Sequence, residues 1–364
     1  MLKTPTTFER TAEIIMTTTE ALSPQAPVPE LQAQAGTLLA HTAGYMAHRT
    51  IDIGLRRGLL KGIGTSPGTT ADELADRLEL DPFYVSVWCR AAFAGSVLER
   101  SGTGYVLAPH VETLLLDETS PAYVGAMYPL LRQPEIIDRF DANLGTGERL
   151  WWDETSPDWI AAVAGTGRPF YTRLIPGGLN RIPGVAEALA GGCRVMDTSC
   201  GTGTGLIRLA EAYPECQVIG VDGDPHSIER AAHTIEATEL TDRVQVFCSP
   251  LEQLTTTEPV KVVVNNISMH ECRDIDVVAD NIKQSLEPGG WFVISDFPFP
   301  SNDEGLRSVP GRVMSGIQFF EAQIDDQLLP RDAYDQLLTA HGFEELGSFV
   351  LSPVHAVTYG RKPQ

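Results

Sequence analysis

Short apolar segments alternate with helix-like segments through the second half of the chain, and this alternation constrains the fold more than any other feature. Strands are predicted at 194–198, 217–222, 243–248, 260–266 and 291–296, followed by a final pair at 345–351 and 354–360. Helices are predicted at 203–213, 225–238 and 274–286. Because short apolar strands joined by helices form a parallel sheet covered on both faces, the pattern predicts a doubly wound α/β fold. The ligand crevice of such a sheet lies at the carboxyl ends of its strands.

The first of these strands runs into a glycine-rich turn between Asp197 and Gly205. Glycine lets main-chain N–H groups approach a ligand and lets the chain turn sharply where a helix begins. The third glycine comes one position too early for a dinucleotide fingerprint, and no Gly-Lys-Ser/Thr sequence follows. The turn is therefore not predicted to bind phosphate.

Two acids indicate which ligand the turn binds instead. Asp197, at the end of the first strand, would repel a pyrophosphate but can accept hydrogen bonds from an ammonium group. Asp222 ends the second strand, where an acid can accept hydrogen bonds from both hydroxyls of a ribose. A ligand with a ribose, a cationic amino-acid end and no phosphate satisfies both acids. S-adenosylmethionine has these features.

Four motifs, in the right order, make the region from about residue 175 onward similar to class I S-adenosylmethionine-dependent methyltransferases. They are the acid-and-glycine turn on Asp197, Ser199, Gly201 and Gly203, the ribose acid Asp222, the turn Leu286–Gly290, and Ala340–Phe343. With its N-terminal part, the whole chain resembles the small-molecule O-methyltransferases of plants and of bacterial secondary metabolism. The resemblance implies a Rossmann-like, mostly parallel seven-stranded sheet.

The resemblance also implies a cofactor site. Its predicted members are Asp197, Ser199, Gly201, Gly203, Asp222, Gly223, Ser249, Asn265 and Phe170. The sequence departs from the family twice: Ser199 replaces a glycine, and the third strand ends without the acid that usually lies near the adenine amino group. Ser249 and Glu252 are the predicted substitutes for that acid. A cofactor site that has decayed on an intact fold is the alternative.

The N-terminal part has the pattern of a winged helix-turn-helix. A capping box at 70–73 begins one helix, Pro82 begins the next, and a predicted hairpin follows at 97–107. Such a module binds DNA or serves in dimerisation. Because residues 70–110 contain six acids and only three arginines, and the chain has a net charge of −21, dimerisation is predicted and nucleic-acid binding is not.

Composition and segment boundaries complete the domain prediction. Residues 1–30 are predicted to be a mobile arm, 31–185 a helical and winged-helix dimerisation domain with a linker, and 186–364 the cofactor-binding domain. The six cysteines form no CxxC pair, which indicates reduced thiols. No signal peptide and no apolar run long enough to span a bilayer is found, so we expect a soluble, cytoplasmic protein that binds no membrane.

The resemblance places a general base at His270, after the fourth strand, with Glu271 beside it. Histidine suits proton removal near neutral pH. Asp296, at the end of the fifth strand, is predicted either to polarise His270 or to face the substrate, with a plain strand-end cap as the alternative. The alternative is that His270 only caps the next helix. A metal cluster of His270, Glu271, Asp274 and Asp276 is not predicted, because adjacent side chains point apart on regular backbone.

The acceptor pocket of the resembled family is apolar, and the corresponding regions here supply mainly aromatic side chains. The predicted acceptor contacts are Trp152, Tyr171, Arg173, Asn266, Met269, Phe297, Phe319 and Phe320. Arg173 is the candidate ligand for a substrate carboxylate. Each aromatic residue has the alternative of a place in the hydrophobic core.

The predicted function is that of a homodimeric methyltransferase, which transfers a methyl group from S-adenosylmethionine to oxygen on a small, largely apolar acceptor. The alternatives are transfer to carbon or nitrogen, with His270 orienting the acceptor, and cofactor binding without methyl transfer. A ligand-responsive regulator would be a protein of the last kind.

Overall fold

The structure is a computed structural model that describes residues 30–150 and 152–364. The predicted arm, apart from Glu30, lies outside these residues. The chain divides into two compact units, with the boundary between Val106 and Leu107. This boundary precedes the predicted one at residue 185, because the helices that follow Leu107 contribute Tyr171 and Leu179 to the buried core of the sheet.

The first unit consists of helices and one hairpin. Its elements are α1 (Leu31–Arg56), α2 (Leu59–Thr65), α3 (Ala71–Leu78), α4 (Pro82–Ala94), β1 (Leu98–Ser101) and β2 (Gly104–Leu107). Gly58, with φ 70°, separates α1 from α2 and divides the apolar stretch at 31–60. The capping box at the start of α3 is confirmed, since Thr70 and Glu73 each accept a hydrogen bond from the other's backbone N–H. The helix, helix and hairpin order of a winged helix is therefore present.

The second unit contains the sheet. Its helices are α5 (Val111–Leu115), α6 (Met127–Leu131), α7 (Asp138–Asn143), α8 (Pro157–Arg173), α9 (Pro183–Ala190), α10 (Thr204–Ala212), α11 (Pro225–Glu236), α12 (Ile275–Ser285), α13 (Asp303–Arg307), α14 (Val309–Glu321) and α15 (Arg331–Ala340). Its strands are β3 (Arg194–Thr198), β4 (Gln217–Asp222), β5 (Val244–Cys248), β6 (Val260–Asn266), β7 (Leu286–Asp296), β8 (Glu344–Ser352) and β9 (His355–Arg361). Within the described ranges, no helix is long and apolar enough to cross a membrane.

The strands form one seven-stranded sheet in the order β5-β4-β3-β6-β7-β9-β8. The first five are mutually parallel, and β9 runs antiparallel between β7 and β8. This confirms the predicted Rossmann-like, mostly parallel sheet. The register pairs Thr198 with Val221 and Asn265, and Asn266 with Ser295. Asp197, Asp222 and Asp296 consequently lie at the same edge of the sheet.

Each face of the sheet packs against its own layer of helices. On β3, Val195 belongs to one buried cluster with side chains of α9 and α10, and Met196 belongs to another with side chains of α12 and α15. Successive side chains of a strand point to opposite faces, so the neighbours Val195 and Met196 are both apolar because both faces of the sheet are buried.

Candidate functional site

The glycine-rich turn connects β3 to α10 and is held against the end of β4. Gly201 and Gly203 have φ values of 53° and 86°, and Gly203 is the residue that precedes the helix. The Gly201 N–H donates to Asp222 Oδ2 at 2.9 Å. A Cβ atom on Gly201 would have no protein atom within 4 Å, so this part of the turn borders open space. A ligand can approach the main chain there.

Asp197 lies beneath this turn. Its side chain is 0% exposed, no ion pair reaches it among the described residues, and the Tyr171 phenol is its neighbouring donor, at a geometry outside that of an ordinary hydrogen bond. Burial raises the pKa of Asp197 to about 8; the neighbouring Tyr171 phenol opposes this shift, and the charge of Asp222 adds to it. Buried polar groups are nearly always hydrogen-bonded. An ammonium group brought to Asp197 would satisfy it and restore its charge.

Tyr171 contributes to the cofactor side of the site, where Phe170 was predicted. A Cβ atom on Gly205 would lie 2.5 Å from Tyr171 Cζ and 2.6 Å from Asp197 Oδ2, so both groups press on the third glycine of the turn. Phe170 instead packs with its ring centroid 5.0 Å from that of Phe297. Tyr171 therefore lies against the glycine-rich turn and Phe170 lies beside Phe297, and the cofactor and acceptor contacts of both residues stay predictions.

Asp222 has the hydrogen bonds expected of an oriented carboxylate. In addition to Gly201, its Oδ1 accepts from the Asp224 N–H at 2.9 Å. Burial raises its pKa, an effect that these backbone N–H groups oppose. The Ser249 N–H donates to the Asp222 carbonyl oxygen at 2.9 Å. This bond places Ser249 beside Asp222 and near the exposed Gly223. The side chain of Glu252, one predicted substitute for the adenine acid, accepts instead from the Arg273 N–H at 3.0 Å.

Ser199 and Asn265, two other predicted cofactor residues, lie at the ends of β3 and β6. Ser199 adopts φ 63°, a left-handed conformation that glycine adopts with less strain, which explains why the resembled family has glycine there. The Ser199 hydroxyl makes no bond to Asp197, since both Asp197 oxygens lack partners among the described residues. Asn265 is fully buried and donates to Thr198 Oγ1 at 3.1 Å. Its side chain thus joins β6 to β3.

A second polar centre surrounds His270. Its Nδ1 lies 2.9 Å from Asp296 Oδ2, as the predicted pairing required. Asp296 also accepts from the Tyr334 hydroxyl at 2.6 Å and from the Phe297 N–H at 2.7 Å. With three hydrogen bonds the carboxylate is fixed as an acceptor, so Nδ1 of His270 carries a proton.

The Nε2 side of His270 faces two glutamates. Glu321 Oε2 lies 3.8 Å from Nε2, and ligand atoms of His270, Glu271 and Glu321 all lie within 4.8 Å of one another. The expectation that His270 and Glu271 diverge is wrong, because they lie in a turn closed by a hydrogen bond from the Glu271 N–H to the Ser268 carbonyl. Their side chains therefore do not follow the geometry of regular backbone.

The other members of the rejected metal cluster lie elsewhere. Asp274 caps α12 by accepting from the Val277 N–H at 3.1 Å, and Asp276 pairs with His341 at 3.0 Å. Since Asp274 provides the cap, the alternative role of His270 as the cap of this helix is also wrong.

The acidic groups near His270 shift the pKa of that imidazole and of one another. Burial lowers the pKa of His270, but the charge of Asp296, its hydrogen bond and Glu321 together hold that pKa well above its ordinary value. Burial and the charge of Glu321 raise the pKa of Glu271 well above the usual range. Burial also raises the pKa of Asp326 to about 7. The centre therefore gathers several buried carboxyl groups around one imidazole, and the raised pKa values favour the protonated forms of His270 and Glu271.

Several predicted acceptor contacts prove to be core or surface residues. Met269 is fully buried in the cluster under α12. Phe320 packs in a separate core, where its ring centroid lies 4.0 Å from that of Trp159 and 5.3 Å from that of Trp152. Phe319 is exposed and stacks on Phe140 at 4.8 Å. Because an apolar ring lowers its free energy wherever it is buried, composition could not separate these positions from a pocket.

Phe297, Arg173 and Asn266 lie nearer the site. The Phe297 ring is 6.4 Å from that of His270. Arg173 Nε donates to His355 Nδ1 at 3.0 Å, and Ser295 joins His355 to Asn266 with bonds of 2.7 Å and 2.8 Å. Burial lowers the pKa of Arg173 to about 10. Both Asn266 and Arg173 thus belong to a polar chain along the sheet edge.

The sequence analysis missed Glu321, Asp326, Tyr334 and His355. Glu321 is an acid that follows two phenylalanines in an amphipathic helix, and it is 4% exposed. An acid on the apolar side of a predicted helix was the available signal, because acids are rarely buried without a partner or a function. Tyr334 and His355 offered no comparable signal.

Part of the chain is similar in sequence to known methyltransferases. Residues 189–329 match the family model described as Methyltransferase domain. Carboxy-S-adenosyl-L-methionine synthase of Klebsiella pneumoniae is 28% identical over 106 residues, which is 28% of this chain and 43% of that protein. The chain spans about half the length of the curated relatives that it matches.

Solved structures match nearly the whole chain. A putative O-methyltransferase from Nostoc punctiforme has a TM-score of 0.70 at 16% identity, covering 92% of this chain and 100% of that one. Human N-acetylserotonin methyltransferase, in complex with S-adenosylmethionine, has a TM-score of 0.66 at 14% identity, covering 93% and 100%. Residues 189–329 are therefore similar to a methyltransferase domain. Together with its N-terminal unit, the chain has the fold of the small-molecule O-methyltransferase structures, as the resemblance implied.

Proposed function

We propose that this chain transfers a methyl group from S-adenosylmethionine to a small acceptor bound beside His270. The observation that carries the proposal is Asp197, a buried carboxyl group at the base of a glycine-rich turn that forms no ion pair among the described residues. The cofactor's ammonium group is the donor that such a site needs. Its sulfonium adds a second positive charge near the acids Asp197 and Asp222.

The other proposed cofactor contacts lie at the same edge of the sheet. Asp222 is oriented by two backbone N–H groups, and a carboxylate has enough lone pairs to accept from ribose hydroxyls as well. Tyr171 covers the start of α10 and limits the space in which the methionine portion can lie. Ser249, beside the end of β4, is the proposed neighbour of the adenine.

Methyl transfer from a sulfonium is an in-line displacement, and placing the acceptor atom opposite the departing sulfur provides much of the rate. Oxygen is the proposed acceptor atom, with carbon or nitrogen as the alternative. The imidazole of His270, anchored through Nδ1 on Asp296, is the group that meets the acceptor. Its role as the general base stays a prediction.

His270→Ala should bind S-adenosylmethionine as the wild type does and lose methyl transfer. Loss of a group that handles the acceptor proton lowers rates by about 10²- to 10⁴-fold. Calorimetric titration with the cofactor and its demethylated product, using NAD as a control ligand, measures the first effect. Radiolabelled methyl incorporation from cell extract and a panel of hydroxylated acceptors measures the second.

Three results would redirect this proposal. No binding at millimolar cofactor would favour a decayed site. Binding without incorporation into any acceptor would favour a cofactor-dependent regulator. Equal incorporation by wild type and His270→Ala would remove His270 from the reaction. The variant Glu304→Ala, which alters an exposed side chain, serves as the matched control.

A second copy of the chain is the proposed partner of the first unit. Large apolar side chains lie exposed along α1, among them Leu39 at 70% and Tyr45 at 61% exposure, and Phe83 and Tyr84 are exposed at the start of α4. Contiguous exposed apolar surface of this kind marks an interaction site. Its position in the unit predicted to serve in dimerisation supports a homodimer.

The double variant Leu39→Glu/Tyr45→Glu is therefore expected to be a monomer, whereas the wild type is a dimer. Light scattering coupled to size-exclusion chromatography measures the mass against the 39.6 kDa of one chain. Glu112→Gln, at an exposed position outside α1 and α4, should remain a dimer. A monomeric wild type at micromolar concentration would contradict the proposal.

A further inference from the structure

We propose that His270, Glu271 and Glu321 bind a divalent transition-metal cation. Ligand atoms of these three residues lie within 4.8 Å of one another. A cation with metal–ligand distances of about 2.1 Å separates neighbouring ligand atoms by about 3.0 Å and opposite ones by about 4.2 Å. The 3.8 Å between His270 Nε2 and Glu321 Oε2 lies within that range.

The orientation of His270 is that of a metal ligand. A histidine that binds a metal through one ring nitrogen usually donates its other N–H to a carboxylate, which fixes the ring. Here Nδ1 lies 2.9 Å from Asp296 Oδ2, and Tyr334 and the Phe297 N–H hold that carboxylate in turn. Nε2, on the other side of the ring, faces Glu321, and in the neutral imidazole it carries the lone pair that a metal ion would bind.

Glu321 provides an independent observation. Its side chain is 4% exposed, and Oε2 is buried without a hydrogen-bond partner among the described residues. A buried carboxylate oxygen is costly unless a hydrogen bond, a cation or a metal ion satisfies it. In the described ranges no ion pair joins a lysine or an arginine to Glu271, Asp296 or Glu321, and His270 is the group that lies against Asp296 and Glu321.

The arrangement of the carboxyl groups suits a divalent ion. Those of Glu271, Asp296 and Glu321 lie around one imidazole, so a cation bound there would meet acidic groups on more than one side. A mixed set of one imidazole and two carboxylates suits Mn²⁺, Fe²⁺ or Zn²⁺ better than Mg²⁺, which prefers oxygen ligands alone.

Three protein ligands leave coordination positions open for the acceptor. An acceptor with two adjacent oxygen atoms would chelate the ion, and the ion would lower the pKa of a bound hydroxyl or enol. His270 would then act as a ligand, and the cation would promote proton loss from the acceptor. This statement about the acceptor rests on the proposed methyl transfer, whereas the metal site itself does not.

Binding of Mn²⁺ tests the site without any acceptor. Protein stripped with a chelator and titrated with MnCl₂ should bind one ion per chain, seen as loss of the electron paramagnetic resonance signal of free Mn²⁺. Glu321→Gln should weaken binding at least ten-fold, since it removes a charged ligand while keeping the side-chain shape. Glu304→Gln should bind as the wild type does, because Glu304 is exposed and distant in sequence.

Calorimetry with S-adenosylmethionine reports whether each variant is folded. A wild-type protein that binds the cofactor but neither Mn²⁺ nor Zn²⁺ at millimolar concentration would overturn the metal site, and so would Glu321→Gln that binds Mn²⁺ like the wild type. If chelator-treated protein still transfers methyl groups and His270→Ala does not, His270 is the base and only the metal proposal fails. If Mn²⁺ binds but no cofactor does, only the methyl-transfer proposal fails.

Discussion

Asp197→Asn is expected to stabilise the cofactor-free protein at neutral pH and to abolish its affinity for S-adenosylmethionine. In the folded protein the pKa of Asp197 is raised to about 8, mainly by burial. Between its ordinary pKa of about 4 and that value, the folded state holds a proton that the unfolded state has released. The free energy of unfolding therefore falls as pH rises through this window. Asparagine removes this loss, a gain on the order of 4 kcal/mol at pH 7.

Urea unfolding between pH 5 and pH 9 measures the effect. The wild type should lose stability with rising pH up to about 8, and Asp197→Asn should lose less. Cofactor titration over the same range should show wild-type affinity increasing up to about pH 8, since the ammonium group binds the ionised carboxylate. Asp242→Asn, at an exposed turn, is the control. Parallel pH profiles for wild type and Asp197→Asn would exclude the explanation.

Gly205→Ala is expected to be strongly destabilising although alanine is the better helix former. The added Cβ atom would lie 2.5 Å from Tyr171 Cζ and 2.6 Å from Asp197 Oδ2, and both groups are buried. Forcing such an overlap costs on the order of 1–3 kcal/mol. Because the overlap displaces Tyr171 and Asp197, cofactor affinity should fall together with stability.

Gly165 provides the matched control for this substitution. It lies inside α8, and a Cβ atom there would meet no atom within 4 Å. Gly165→Ala should therefore stabilise the protein by up to about 1 kcal/mol through helix propensity alone. Urea midpoints of the two variants against wild type separate the effects. A Gly205→Ala variant as stable as Gly165→Ala would show that Tyr171 does not pack on the turn.

The elements of the sheet were predictable because its strands are buried on both faces. Apolar runs such as 217–222 and 260–266 end at an acid or an amide, and the structure has β4 and β6 with those bounds. The strand β7 begins at Leu286, before the predicted start at 291, because Leu286 pairs with Val260 across an irregular stretch of the ladder. Proline and glycine are disfavoured inside strands, so β-propensity did not predict the pairing around Pro288 and the glycines that follow it.

The site was predictable only where it depends on strand ends. Asp197, Asp222 and Asp296 follow buried strands, so parallel topology brings them to one edge whatever the rest of the fold does. Glu321 comes from a helix whose position is set by tertiary packing. Phe170 and Tyr171 are neighbours on α8 and point about 100° apart, so the rotation of the helix decides which ring meets the turn. Sequence does not give that rotation.

The place of β9 has a consequence for how the chain folds as it is made. This strand comes after all the other described strands in chain order, yet it lies between β7 and β8 and is hydrogen-bonded to both. Until residue 361 has left the ribosome, β7 exposes the edge that β9 will cover, and β8 has no neighbour. Unpaired strand edges recruit other strands. During synthesis, the strands that form the cofactor edge are thus complete before β9 closes the sheet. A chaperone or an early-bound cofactor would protect the exposed strand edges at this stage.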